Sequence, residues 1–196
     1  MLTGVTEDKS QRIVEMLLGI ATPLDLLAGK VIAGVGRSLT SSLLYVSGAT
    51  VVLLSLNVAG IAPLSVLPWF YAFLFAEVSA LCAIGTALGA ACNTPQEAGN
   101  LSLFVMAPIM IAMFLIVPVA NNPNGAFATV MSLCPPFSPL LMILRQMMPG
   151  GVPASQPWAS LALTGLFAFF GIWAASRVFR IAILMQGQPA RLKSIL

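Results

Sequence analysis

The chain has 196 residues, 59% of them hydrophobic and only 8% charged, with a mean hydropathy of +0.98. A soluble domain carries about 25% charged residues, so a water-facing surface is excluded for most of this chain, and lipid is its solvent. Histidine is absent and the net charge is +3; the first excludes HExxH metal chemistry and His-based triads, and the second is a matter of membrane orientation rather than of nucleic-acid binding.

Charge is concentrated near the start, in "EDKSQRIVEMLL" (Glu7 to Leu18). Thr6 suits a helix N-cap, with Glu7 and Asp8 in the first turn, where the dipole favours acids. Asp8 and Arg12 are spaced for a helix pair. Val14, Leu17, Leu18 and Ala21 share one face, and Asp8, Arg12 and Glu15 share another. An amphipathic helix follows. It fits either an elbow resting on headgroups or a surface for a protein partner. Its acids (Glu7, Asp8, Glu15) outnumber its bases (Lys9, Arg12), which anionic headgroups would repel, and this favours the partner. A second helix start, "TPLD", comes next: Thr22 as cap, Pro23 at the first helical position and Asp25 three after the cap. Residues 1–30 are therefore a charged helix and turn, and 31–196 form the membrane domain.

Long, continuous apolar runs select helices over alternating strands. Four spans are expected, at about 31–57, 68–91, 100–120 and 157–176, each meeting the roughly 20 residues a bilayer core requires. The fold class is thus all-α membrane protein. Residues 121–156 hold two apolar runs too short to span, separated by Pro135, Pro136 and Pro139. They predict two short re-entrant or interfacial helices at the outer side. With both termini cytoplasmic, Lys9, Arg12, Lys30, Arg37, Arg177, Arg180, Arg191 and Lys193 lie at the inner side and only Arg145 lies outside. That bias sets the orientation, with a cytosolic tail at 177–196 in the cell membrane. Trp69 and Trp158 then fall at the outer boundary, as belt residues do.

Glu77 sits within an apolar run, where an ionised carboxylate is costly. It reads as a pathway residue for a cation or basic substrate, or as a protonated acid bonded to a neighbouring helix. Arg145 reads as an anchor to outer headgroups or as a guard of the exit. Gly85 and Gly89 form a small-xxx-small pattern for helix packing. Cys82, Cys92 and Cys134 form no CxxC pair and imply neither disulfide nor zinc site. "AGKV" lacks the upstream Gly and the following Ser or Thr of a phosphate cradle, and "GVGRSL" lacks the third Gly of a dinucleotide motif.

The ordered set of "EDKSQRIVEMLLGIATPLDLLAGK", "NTPQEAGNLSLFVMAPIMI", "LCPPFSPLLMILRQMMPGGVP" and "ASRVFRIAILMQGQPARLKSIL" resembles ATP-binding-cassette exporter permeases of the second exporter type, particularly NatB-like sodium-export permeases. In the first motif the matching residues are Asp8, Lys9, Arg12, Glu15, Leu17, Leu18, Thr22, Pro23, Leu27, Gly29 and Lys30. The resemblance implies a permease subunit, not an enzyme, with no cofactor of its own. ATP and Mg would be bound by a cytosolic ATPase subunit. The charged helix, Glu7 included, would be the coupling helix docked on that subunit, and the substrate sodium, a drug or a lipid-like molecule. Members of the family carry further segments before the coupling helix. The chain therefore resembles the carboxy-terminal part of a permease half, and a second permease copy or an amino-terminal half is an expected partner beside the bilayer. The rival reading is an ion-coupled carrier or channel centred on Glu77. An intramembrane enzyme fits poorly, with no paired intramembrane carboxylates and no nucleophile arrangement.

Overall fold

The computed structural model describes residues 22–55, 64–92, 94–148 and 150–184, and among them every element is a helix. In chain order these are α1 (Pro23–Ser55), a 3-10 turn (Leu64–Val66), α2 (Leu67–Ala91), α3 (Pro95–Asn121), α4 (Ala126–Leu133), α5 (Ser138–Met147) and α6 (Ser155–Leu184). The charged helix expected at residues 7–18 lies outside the described residues.

α1 starts where its cap dictates. Thr22 donates from its backbone N–H (3.0 Å) and its hydroxyl (2.6 Å) to the Asp25 carboxylate, while Asp25 N–H donates back to the Thr22 hydroxyl at 3.3 Å. This reciprocal box satisfies donors that a helix start leaves orphaned. The helix then runs unbroken for 33 residues, so the described part of the expected first span, residues 31–55, is the later part of one longer rod. Three helices among the described residues are long and apolar enough to cross a membrane: Leu67–Ala91, Gln96–Asn121 and Ser155–Ala182. The second half of α1 is rich in hydroxyls. Those hydroxyls are satisfied within the helix: Thr40 donates to Gly36 O, Ser42 to Leu39 O, Ser47 to Leu44 O and Thr50 to Val46 O, at 2.7–3.0 Å. A back-bonded hydroxyl carries much less of the desolvation cost that an unpaired one incurs in an apolar medium.

The loop expected at Cys92 to Gly99 is shorter than its sequence suggested. Glu97 N–H donates to the Thr94 hydroxyl at 3.2 Å and Ala98 N–H to Thr94 O at 3.2 Å. Thr94 is therefore an N-cap, and α3 begins at Pro95 rather than at residue 100. Pro108 and Pro118 lie inside α3 without ending it, as membrane helices tolerate. α6 likewise extends past the expected end at 176 to take in Arg177 and Arg180. The Arg177 guanidinium lies 4.3 Å from the centre of the Trp173 ring, a cation–π contact that keeps the charge on an aromatic surface.

The chain divides into two compact units. The first holds residues 22–34, 79–106 and 169–184 of the described chain. Its core is small: Ala83, Ala87 and Ala90 of α2 meet Leu27 of α1 and Ala175 and Phe179 of α6. Alanines at i, i+4 and i+7 make a flat stripe that lets helix backbones approach. Cys92, Ala98 and Val105 form a second cluster that closes the α2–α3 turn.

The second unit holds residues 35–55, 64–78, 107–148 and 150–168 of the described chain. Here α4 and α5 form the pair of short helices that the prolines predicted. Between them, Phe137 and Ser138 N–H groups donate to Cys134 O at 3.0 and 2.9 Å. Pro135 and Pro136 occupy the tight turn, where a missing N–H costs nothing. Val119 of α3, Ala128 of α4 and Leu141 of α5 form the core of this unit. Trp69 and Trp158 meet edge to face at 4.8 Å.

Candidate functional site

The second unit concentrates the chemistry. Its first feature is Arg145 in the last turn of α5, 1% exposed. Its Nε donates to Pro123 O at 2.6 Å, and one terminal nitrogen donates to Ser132 Oγ at 2.5 Å. The other terminal nitrogen donates to Gln156 Oε1 at 2.9 Å and Thr129 Oγ1 at 3.3 Å. The guanidinium thus bridges the turn before α4, α4 itself and the first turn of α6. Reading Arg145 as a headgroup anchor is overturned: its charge is held inside the protein, and no carboxylate is among its acceptors. Burial lowers the pKa of the guanidinium from its ordinary value. Four neutral oxygens offset that desolvation, and the rigid fork of an arginine suits several acceptors at once.

Hydroxyls extend this network. Thr164 donates to Ser160 O at 2.9 Å, so its single proton is committed and Ser138 is the donor in the 2.6 Å Ser138–Thr164 bond. Ser160 donates to Ser132 O at 2.8 Å. Ser132, Ser138, Ser160 and Thr164 are all fully buried. In apolar surroundings these small polar links hold α4 and α5 onto the first turns of α6.

The second feature is an apolar cleft of about 330 Å³ between α2 and α5. Phe70, Phe73 and Leu74 line it from α2, and Leu140, Ile143 and Met147 from α5. α5 is amphipathic in an unusual sense. Ser138, Leu141, Met142 and Arg145 form its buried face, and the residues between them face the cleft.

The third feature is Glu77 on α2, 9% exposed. It shares the buried face of that helix with Phe73 and Ala80. Its Oε2 has no hydrogen-bond partner among the described residues, so the expected bond from a neighbouring helix is not made at that atom. Glu77 and Arg145 lie in the same unit without pairing.

The remaining expected residues separate cleanly. Glu7, Asp8, Lys9, Arg12, Glu15, Leu17 and Leu18 lie outside the described residues. Thr22 and Pro23 open α1 in the first unit. Gly85 and Gly89 are buried on α2. Among the described residues no group of three or more His, Cys, Asp or Glu is placed to hold a metal ion, and none of the three cysteines is in a disulfide. Sequence reasoning missed the partners of Arg145, namely Thr129, Ser132 and Gln156. Hydroxyls recurring at helical spacing beside a lone arginine were the available signal.

Comparison with known proteins adds the following. A family model described as ABC-2 family transporter protein matches residues 1–177. The uncharacterized protein YhaP of Bacillus subtilis (strain 168) is 27% identical over 210 aligned positions, which cover 97% of this chain and 48% of that protein. The chain therefore spans about half the length of this curated relative. No solved structure matches.

Proposed function

The chain belongs to the ABC-2 family of transporter membrane proteins, and we propose that it is a permease subunit of an ATP-driven exporter, coupled to a cytosolic ATPase through residues 7–18. The observation that carries this reading is the family match over residues 1–177, which includes the charged stretch at 7–18. The architecture supports it. A helix preceding Thr22 would deliver its motion to a firmly capped start, and α1 is then one continuous rod of 33 residues. A rigid element of this kind transmits rigid-body displacement between a partner and the membrane. In this reading α1 is a fourth membrane-crossing helix, both termini are cytoplasmic, and α4 and α5 close the outer side. ATP and Mg belong to the partner ATPase. The substrate class in this reading is sodium, a drug or a lipid-like molecule.

The experiment is co-purification of the ATPase with a Glu15→Lys variant. Charge reversal is expected to reduce recovery of the ATPase while membrane insertion is unchanged. Undiminished recovery would count against docking through this helix. The buried, unpartnered oxygen of Glu77 favours one rival, an ion-coupled carrier. Transport abolished by Glu77→Gln yet indifferent to Glu15→Lys would reverse the assignment.

A further inference from the structure

We infer that the outward face of α6, at Trp173, Arg177 and Arg180, binds one anionic phospholipid, with its phosphate held by the two guanidiniums and an acyl chain laid along Phe169 and Phe170. All five residues are exposed and belong to the first unit. They recur at i, i+1, i+4, i+8 and i+11, which is one side of a helix, whereas Ala175 and Phe179 on the other side enter the core. Their depth fits a headgroup. The part of α6 apolar enough to cross a membrane has 28 residues and ends at Ala182. That length is about 42 Å, as thick as a bilayer with its headgroup layers. Arg177 and Arg180 therefore lie in the last two turns, at headgroup level, and the phenylalanines lie about 10–12 Å deeper along the axis.

These guanidiniums are poised differently from that of Arg145, whose donors are spent on four oxygens of the protein. Arg177 lies over the Trp173 ring, 4.3 Å from its centre. Stacking engages the flat face of a guanidinium and leaves its N–H edge open, and that edge matches a phosphate. Arg180 is three residues on, with its Cβ about 5–6 Å from that of Arg177, so both forks reach one phosphate. The carboxylates described in this unit are Asp25, which is bonded to Thr22, and Glu97. Among the described residues neither pairs with Arg177 or Arg180. Charge complementarity thus selects an anion, and the exposed aromatic flank selects one that carries hydrocarbon. An acidic protein surface would meet the arginines and leave Phe169 and Phe170 uncovered. A zwitterionic lipid would bring a cation of its own to the same place.

The site goes beyond the permease reading and needs only that α6 crosses the bilayer. The test titrates the full chain in detergent with phosphatidylglycerol or with phosphatidylcholine of the same acyl chains, and counts bound lipids by native mass spectrometry. The first phosphatidylglycerol is expected to bind at least about fivefold more tightly than the first phosphatidylcholine, the gain that even one basic residue near an anionic headgroup confers. Arg177→Gln with Arg180→Gln should bring the two lipids to parity. Phosphatidylcholine binding should stay unchanged in that variant, which also shows that it is folded. Trp173→Leu keeps the apolar flank but removes the stacking surface, and should lower the preference without abolishing it. Glycerol phosphate, the headgroup without its chains, should not displace the lipid. Equal affinity of the wild type for the two lipids would overturn the proposal, as would a preference that survives the double variant. Full displacement by glycerol phosphate would mark a soluble-anion site and overturn it too. Loss of ATPase recovery in the double variant with the lipid preference intact would make this face a protein-docking surface instead.

Discussion

Arg145 is a charged side chain, 1% exposed, whose acceptors are all neutral oxygens. Its role follows from geometry: a planar fork reaches a backbone carbonyl, two hydroxyls and an amide, whereas an ammonium has three donors at a single point. Arg145→Lys is therefore expected to lower stability by about 1–3 kcal/mol, the range for lost hydrogen bonds to a charged group. Arg145→Met should lower it by less than Arg145→Ala, because Met keeps most of the side-chain volume. Thermal unfolding in detergent measures both, and a lysine variant as stable as the wild type would refute the fork argument. The lone arginine was visible in the sequence, but its surroundings were not. Thr129, Ser132 and Gln156 lie on two other elements, and only the fold of the α4–α5 pair onto α6 brings them to one point. A linear reading placed this residue at an outer boundary, as a headgroup anchor or a guard of the exit; burial removes the first of these. Glu77 was legible for the opposite reason, since an acid in an apolar run stands out whatever surrounds it.

At the scale of the element, α1 and α3 begin on the same grammar, Thr-Pro-x-Asp in one and Thr-Pro-x-Glu in the other. Asp25 shows how the first cap works. Hydrogen bonds from the Thr22 hydroxyl, and then from its backbone N–H, hold the carboxyl below its ordinary pKa. A folded-state pKa that is depressed makes the cap complete above about pH 4, the usual aspartate range, and weaker as pH falls through the lower folded value. Hydrogen exchange of a peptide covering residues 22–30 is expected to be several-fold faster in Thr22→Ala at neutral pH. In the wild type the same peptide should speed up only on acidification below that range. Exchange indifferent to both changes would show that the box does not fix the start of α1. The sequence announced "TPLD" as a helix start, yet "TPQE" passed as a loop, because Cys92 and Asn93 before it look like a turn. The prolines at 135, 136 and 139 predicted α4 and α5 correctly, since a ring without an N–H ends one helix and opens another. The apolar cleft was illegible in the sequence. It needs α2 and α5 side by side, and no local pattern encodes that meeting.

At the scale of the whole molecule, family membership and the helical architecture support the proposed transport role. Among the described residues three helices read as spans by composition, and they differ in burial. The most apolar stretch of α2 is 61% buried, against 17% for α3 and 22% for α6. α2, whose apolar stretch is the most buried of the three, carries Glu77, one wall of the cleft and the Gly85 and Gly89 pair. α3 and α6 turn broad apolar faces outward, with Leu103, Phe104 and Phe114 well exposed on α3, as lipid contact requires. The most direct test replaces Leu18 with a photo-crosslinking phenylalanine analogue and irradiates membranes that contain the chain and its ATPase during turnover. The account predicts an adduct with the ATPase whose yield changes between the ATP-bound and nucleotide-free states. An adduct with lipid alone, in every nucleotide state, would contradict it.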